Sequence, residues 1–428
     1  MHVRPPLFLL TGFGWLLLSG FLGIALFIGT MIGNPLPQQF RLVHVHGALV
    51  GGVAQMILGA ILAFVPALLM TGKDRPESHP VLYGLINGGA LGMVAGFAAG
   101  QLPIVAASGL LVVLAFLSVL KEGLGQAHSS LVSPPLNLWF YGVALVALLV
   151  GLGLGEAMAL RLFPIALYGQ ARLAHIHLNL LGFATLAIVG TMHNLFPTVL
   201  NGPLYSQKLA RWTFFILPTG IALLIGGFLM GHLWAEIAAG SVIIAGTLLY
   251  GYNIAQTWRA AGRPSRIASD HFMLATFFLV LTAVAGLGLA VNSLWDPTYV
   301  PIGKLHLVAY THLALVGFVL QTIIGALSHL LPIILAVKRV KSHKKRGAYL
   351  EELTGIVEQW RPLQVGTLNL GTVALLFTAG LVWQFSLRVP IVQVSAWISA
   401  GLLAAGLLTF GVKVILLLRH QPPEHVAE

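Results

Sequence analysis

The 428-residue chain is 57% hydrophobic and only 8% charged, whereas a soluble domain carries about 25% charged residues. So little charge cannot cover a water-facing surface, which excludes an ordinary soluble protein and indicates an integral membrane protein. The sequence contains no cysteine, which excludes disulfides, thiolate metal sites, iron–sulfur clusters and covalently attached c-type haem, and its 16 histidines outnumber its 12 acidic residues.

Apolar runs of about 20 residues, the length that crosses a bilayer, predict about twelve membrane-spanning helices. The first run is too long for the core of a secretory signal and is interpreted as an uncleaved span. The predicted fold class is therefore an all-α integral membrane protein, with a single membrane domain over residues 1–428. We number the helices spans 1 to 12 and expect them near 7–32, 42–69, 80–101, 103–120, 136–160, 173–200, 212–233, 235–257, 271–292, 305–335, 364–386 and 391–418.

The distribution of Lys and Arg predicts the orientation of the spans. Eighteen of the 23 basic residues lie on the side of the N-terminus, including Lys73, Arg75 and a dense cluster from Lys338 to Arg346. Both termini are therefore predicted to be cytoplasmic, in an inner (plasma) membrane of bacterial or archaeal type. Because the positive charge is a topology signal, nucleic acid is not expected as a partner. The dense cluster is either a plain cytoplasmic loop or a binding site for anionic membrane lipid.

Three segments align without gaps and carry the interior histidines. They read Arg41-Leu-Val-His44-Val-His46 on span 2, Arg172-Leu-Ala-His175-Ile-His177 on span 6 and Leu307-Val-Ala-Tyr310-Thr-His312 on span 10. In each copy the last residue is followed by Gly at +5, Gly at +13 and Pro at +20. The glycine pair permits close helix packing or the approach of a flat macrocycle. The repeat predicts three pseudo-symmetric blocks of four spans, approximately 1–134, 135–266 and 267–428.

The repeated histidines are candidate metal ligands, because a histidine inside a membrane span usually marks a functional site. Residues two apart on a helix point about 200° apart, so His44 and His46 serve different clefts, as do His175 and His177. If spans 2, 6 and 10 form an inner triangle, these residues with His312 and Tyr310 line three clefts near the outer surface. Two clefts would be bis-His and one His–Tyr, and which pairs form is left open. Such imidazoles suit b-type haem iron, or copper where three converge.

Other polar residues have weaker assignments. Arg41 and Arg172, three residues before the histidine pairs, either pair with haem propionates or extend to the interface. His193 and His329 are expected to cap helix ends near the cytoplasmic side, the alternative being a second metal site, and His306 is a supplementary candidate at the outer side. The remaining histidines are expected to be solvated: His2, His79, His128, His271, His343, His420 and His425.

The block arrangement and the histidines on spans 2, 6 and 10 resemble subunit I of the haem–copper oxidase superfamily, which includes cytochrome oxidases and nitric oxide reductases. The segment from His44 to Gly52 is similar to the haem-binding HxH helix of cytochrome-cbb-type oxidases and nitric oxide reductases, although that helix is their tenth. The resemblance implies a low-spin haem between His312 and His46, with His44 as the second choice. It also implies a high-spin haem ligand at the position of Tyr310.

The same resemblance implies a copper ion held by one histidine on span 6 and a His-His pair on span 7. Span 7 has no such pair, and only His232 lies at its end, which weakens an assignment of oxygen reduction. No acidic residue lies near the middle of a predicted span, so proton pumping is not expected; relay through water and hydroxyls is the alternative.

The predicted function is a membrane haem protein that acts in respiratory electron transfer or in redox chemistry of small gases (nitric oxide or oxygen). It would hold one or more haem b groups, with copper where three ligands converge, and take electrons from quinol or cytochrome c. Other membrane subunits are candidate partners, and an oxidoreductase activity is left open. Two alternatives remain: a non-enzymatic haem/copper membrane protein similar to the nitric-oxide-response type, and a transporter built from repeats.

Overall fold

The computed structural model describes residues 3–71 and 78–422, and every regular element within these ranges is helical. Twelve of the helices are long and apolar enough to cross a membrane, which confirms the predicted fold class. Lys73 and Arg75, counted above for the orientation, and the histidines at positions 2 and 425 lie outside the described residues. The spans are Pro5–Met31, Gln39–Leu68, Pro80–Ala98, Leu102–Ser129, Leu136–Ala159, Ile165–Val199, Gln207–Met230, Leu233–Ala260, Ile267–Asn292, Lys304–Arg339, Arg361–Leu381 and Pro390–Arg419.

Spans 2, 6 and 10, which carry the histidine motifs, form the inside of the bundle. Consecutive spans pack against one another, and span 1 also packs against span 12, so the chain closes on itself. In each of spans 2, 6 and 10, 61% of the most apolar window is buried, against 28–44% in the other nine spans. The inner position predicted from the motifs therefore agrees with the fold.

The glycine at +13 in each motif lets the preceding span approach closely. A Cβ atom placed on Gly59, Gly190 or Gly325 would come within 2.5–2.8 Å of a phenylalanine, much closer than the 3.5–4.0 Å of an ordinary carbon contact. These aromatic rings belong to equivalent positions of spans 1, 5 and 9, namely Phe8, Phe140 and Phe272. Of the two roles considered for the glycines, the +13 position serves helix packing.

Each of the three inner spans contains a π-helical segment, in which the backbone bonds run from residue i to i+5. The segments are Gly47–Ala54, Leu178–Thr185 and Leu313–Leu320. Each one starts directly after the last residue of a histidine motif, so the motif always forms the end of a regular α-helical portion. Single π-turns are uncommon and occur often at functional sites, and here they repeat with the blocks.

A helix that the hydropathy pattern did not predict connects spans 10 and 11. This linker helix, His343–Glu358, buries Tyr349 and two aliphatic side chains against the bundle. Next to it, Arg339 donates hydrogen bonds to the Tyr349 hydroxyl (3.0 Å) and to carbonyls at the end of span 12, including that of Leu418 (2.7 Å). Part of the basic cluster is therefore structural, because it satisfies helix-terminal carbonyls.

Candidate functional site

The histidine motifs lie at one end of spans 2, 6 and 10, which all begin on the same side of the bundle; we call it the histidine side. His44, His46, His175, His177 and His312 are all half-buried there. Each ring has its Nδ1 within hydrogen-bond distance of a backbone carbonyl oxygen. A carbonyl can only accept, so Nδ1 carries the proton in all five rings and Nε2 keeps a lone pair for a metal. A backbone carbonyl at the second nitrogen is the usual support of a metal-ligating histidine.

The first histidine of a motif is held by the preceding span. Nδ1 of His44 donates to the Ser19 carbonyl at 2.7 Å, and Nδ1 of His175 donates to the Gly151 carbonyl at 2.8 Å. Four residues after each carbonyl, a glycine makes room for the ring. A Cβ on Gly23 would lie 2.5 Å from Cε1 of His44, and a Cβ on Gly155 would lie 2.9 Å from Cε1 of His175.

The second histidine of a motif is held by its own helix. Nδ1 of His46, His177 and His312 donates to the carbonyl four residues earlier, at 2.9, 2.8 and 2.7 Å. Two of these rings also pack on a phenylalanine of the following span: His46 on Phe97, with ring centroids 4.5 Å apart, and His177 on Phe228, at 4.6 Å. The second position thus has its own support, different from that of the first.

The structure brings His44 and His312 together. Their rings are parallel to within 6°, and the ring centroids are 6.3 Å apart. Two imidazoles that bind one metal ion from opposite sides, each with a metal–nitrogen bond of about 2 Å, have centroids about 6 Å apart. The pair therefore fits a bis-imidazole metal centre, and the neighbour of His312 is the second choice of the sequence analysis, His44, rather than His46.

His46 lies two residues after His44 on the same helix and therefore points to a different cleft, where its ring packs on Phe97. In the observed pair, the first residue of one motif meets the second residue of another. Extended to the other motifs by their pseudo-symmetry, this pattern would pair His175 with His46 and Tyr310 with His177. Tyr310 is accommodated in the same way as the first histidines of the other motifs, because a glycine of the preceding span makes room for its ring. A Cβ on Gly286 of span 9 would lie 2.8 Å from the Tyr310 hydroxyl.

No set of three ligands converges at the histidine side. In residues 3–71 and 78–422 there is no group of three or more His, Cys, Asp or Glu side chains that could hold a metal ion. His232, which follows the end of span 7 in the sequence, accepts a hydrogen bond from the Ala235 backbone at 3.1 Å and so caps the start of span 8. His306 accepts from the Gly303 backbone at 3.0 Å and stacks on Trp383, which makes it a capping residue rather than a supplementary ligand.

The arginines of the motifs point away from the bundle interior. Arg41 and Arg172 are exposed, and neither forms a salt bridge with another described residue. An exposed guanidinium at the edge of a cleft is compatible with both roles considered above, pairing with a propionate and extension to the interface.

Two histidines near the opposite side differ from expectation. The prediction that His271 is solvated is wrong: it is fully buried, its Nδ1 donates to Gln321 Oε1 (2.7 Å), and its Nε2 accepts from Gln364 Nε2 (2.9 Å). Gln321 Nε2 donates in turn to Asn369 Oδ1 at 2.7 Å. The prediction that His193 caps a helix end is also wrong, because it is buried between the rings of Phe140 and Tyr250. The polar residues inside the apolar runs of spans 10 and 11 were the sequence signal for the His271 network.

Comparison with known proteins bears on the family and the fold. Residues 136–345 match the family model described as cytochrome c and quinol oxidase polypeptide I, a stretch that includes the motifs of spans 6 and 10. Among 42 matching chains of solved structure, a heme-copper terminal oxidase dimer determined by cryo-EM aligns with a TM-score of 0.70 at 14% identity. The alignment covers 99% of this chain and 84% of that chain, and at this identity it shows the fold. No curated protein matches the sequence.

Proposed function

This chain is a member of the haem–copper oxidase subunit I superfamily, and on that premise we propose that it transfers electrons through a b-type haem held by His44 and His312. The observation that carries the proposal is the pair of parallel rings 6.3 Å apart, each with Nδ1 tied to a carbonyl and Nε2 free. When bound, a haem iron with two imidazole ligands supplies reversible one-electron chemistry and offers no open position to a gas.

The residues around the pair hold the two imidazoles in the required state. The carbonyls of Ser19 and Val308 keep the proton on Nδ1, so that Nε2 is the ligating atom in both rings. Gly23 leaves the space that the His44 ring fills. Because His44 is fixed by span 1 and His312 by its own helix, the separation of the two rings depends on packing among spans 1, 2 and 10.

Electron transfer is favoured over oxygen reduction by the composition of the third cleft. A tyrosine, Tyr310, stands where a histidine would complete the repeat, and by the pseudo-symmetry of the motifs its partner from span 6 would be His177. His232, just past the end of span 7, caps span 8. Chemistry on nitric oxide or oxygen would need an open metal position, and this cleft is the only one of the three whose motif residues are not both imidazoles.

The orientation, the partners and the lack of proton pumping belong to the same proposal. The excess of basic residues opposite the histidine side makes that opposite side cytoplasmic, with both termini on it, in a prokaryotic plasma membrane. A quinol or a cytochrome c would then donate electrons near the outer surface, with other membrane subunits alongside and lipid around the spans. The described spans carry their acidic residues near their ends, as with Glu156, Glu236 and Asp270, so no carboxylate relay crosses the membrane.

The test is spectroscopic. Protein purified after expression in a haem-replete host should show a reduced-minus-oxidised band typical of bis-His b-type haem, unchanged by carbon monoxide. His44→Ala and His312→Ala should each remove the same band, whereas His128→Ala, at an exposed position of span 4, should leave it intact. Colourless, haem-free wild-type protein would refute the proposal. A band lost in only one of the two variants would refute the pairing, and a carbon monoxide shift would refute the six-coordinate assignment.

A further inference from the structure

The linker helix is fixed at the level where span 12 leaves the membrane. Arg339, the last residue of span 10, donates from Nη2 to the Leu418 carbonyl at 2.7 Å. The Tyr349 hydroxyl of the linker helix donates to the His420 carbonyl at 2.6 Å. Both acceptors belong to the end of span 12. Because an apolar span ends close to the edge of the hydrocarbon, these bonds hold the linker helix at the depth of the lipid headgroups.

The basic cluster that begins this linker divides by residue type. Its arginines are used inside the protein, because Arg339 bonds to the end of span 12 and Arg346 Nη2 donates to the Val340 and Lys341 carbonyls at 3.1 and 3.3 Å. Its four lysines are exposed, namely Lys338, Lys341, Lys344 and Lys345. Those at positions 338, 341 and 344 form no salt bridge with any other residue in 3–71 or 78–422. Their ammonium groups are therefore available to a ligand.

The acidic residues of the linker helix are occupied elsewhere or lie further along it. Glu352 lies 2.9 Å from Nε2 of His420, and Glu358 accepts from the Ile267 backbone at the start of span 9. Glu351 comes two turns after Lys344. The first turn of the helix therefore carries a concentration of positive charge, to which the positive end of the helix dipole adds.

We propose that the lysine cluster of Lys338, Lys341, Lys344 and Lys345 binds the headgroups of anionic phospholipids. A lysine offers a phosphate a compact, mobile point charge, and a cluster of four to eight basic residues beside a membrane span is typical of binding to anionic lipid. Position favours lipid over an acidic protein segment, because a cluster held at headgroup depth meets phosphate groups without any further subunit. The inference does not rest on the proposed haem site.

Bound lipid should also stabilise this end of the bundle. Four like charges within eight residues repel one another, and an anion that neutralises them removes that repulsion. A ligand that binds the folded protein raises its melting temperature by mass action. Anionic lipid should therefore strengthen the attachment of the linker helix to the ends of spans 10 and 12.

The experiment is native mass spectrometry of delipidated protein in a neutral detergent, titrated with phosphatidylglycerol or with phosphatidylcholine. Wild-type protein should bind phosphatidylglycerol more tightly, and high salt should remove this preference. A lysine near an anionic surface contributes about a 5-fold gain in binding, so Lys341→Gln/Lys344→Gln should lose about 5-fold for each lysine removed. Lys341→Arg/Lys344→Arg, which keeps both charges, should retain the preference.

The control is Lys121→Gln/Lys208→Gln, which removes two exposed lysines on the same side of the bundle, outside the cluster. It should bind phosphatidylglycerol like wild type, and the lipid should raise its melting temperature as it does for wild type but not for Lys341→Gln/Lys344→Gln. Equal loss of binding in the two glutamine variants, or equal affinity of wild type for the two lipids, would overturn the proposal. Displacement of the lipid by inorganic phosphate at a similar concentration would assign the cluster to a soluble anion instead. A protein that copurifies with wild type and not with Lys341→Gln/Lys344→Gln, while lipid binding is unchanged, would assign it to a partner subunit.

Discussion

Gly23 offers a way to disturb the proposed haem site without touching a ligand. A Cβ atom at this position would lie 2.5 Å from Cε1 of His44 and 3.0 Å from both ring nitrogens. An ordinary carbon–carbon contact is about 3.5 Å or longer, so in a Gly23→Ala variant the ring would have to move by about 1 Å. The hydrogen bond from Nδ1 to the Ser19 carbonyl is 2.7 Å long, and such a shift would take it past the usual limit of about 3.2 Å.

The expected loss follows from the role of that hydrogen bond. Removing the partner that orients a ligating histidine typically weakens metal binding by about 10- to 100-fold, equivalent to about 1.4–2.7 kcal/mol. We therefore expect Gly23→Ala to bind haem at the His44–His312 site about 10- to 100-fold more weakly than wild type. Titration of haem into protein expressed under haem limitation measures this directly, and a redox titration reports the change at the iron.

The control is Gly14→Ala in the same span. A Cβ on Gly14 meets no atom within 4 Å, so this variant adds the same methyl group and the same gain in helix propensity without pressing on a ring. It should bind haem like wild type. If Gly23→Ala also binds haem with wild-type affinity and potential, the position of the His44 ring does not determine the site, and the reasoning from ring geometry is refuted.

Three further predictions test other parts of the structure. Gly155→Ala should lower the melting temperature of the protein, because its Cβ would lie 2.9 Å from Cε1 of His175, while Gly153→Ala, where a Cβ meets no atom within 4 Å, should not; equal melting temperatures would contradict the steric argument. His271→Leu should lower the free energy of unfolding by about 1–3 kcal/mol, because it leaves buried amide groups without a partner, and should show a lower melting temperature than His128→Leu with an unchanged haem count. Tyr310→Phe should leave the number of haems per chain and their spectra unchanged, and loss of a haem would give the tyrosine a ligand role.

Much of the fold was predictable because membrane spans follow from hydropathy and length. The repeat of His, Gly and Pro also indicated which three spans lie inside, since only an interior helix can use a histidine at that depth. The spacing of His44 and His46 predicted that they serve different clefts. It did not predict which cleft each one enters, because that depends on the Ser19 carbonyl of another span.

The errors have physical causes as well. His271 lies only five residues into span 9 and resembled a solvated end position, but Gln321 and Gln364 from two neighbouring spans bury it and bond both its nitrogens. A single sequence does not reveal such partners. The linker helix was missed because its polar composition carries no membrane signal, although it buries Tyr349. The π-helical segments were also missed, since nothing in their apolar composition distinguishes them from ordinary α-helix.

Those π-helical segments make the histidine sites sensitive to chain length in a way that loops are not. Each segment, with its hydrogen bonds from residue i to i+5, lies between the histidine motif and the remaining α-helical part of the same span. Deletion of one residue from the α-helical stretch between this segment and Gly59 would turn the histidine end of span 2 by about 100° relative to the opposite end. His44 and His46 would then both leave their clefts at once, while the packing of Gly59 against Phe8 stayed in place. The number of residues between the motif and the packing glycine therefore sets the direction in which the histidine side chains point. A variant with an insertion or deletion there should still fold as a bundle but should lose the proposed haem site.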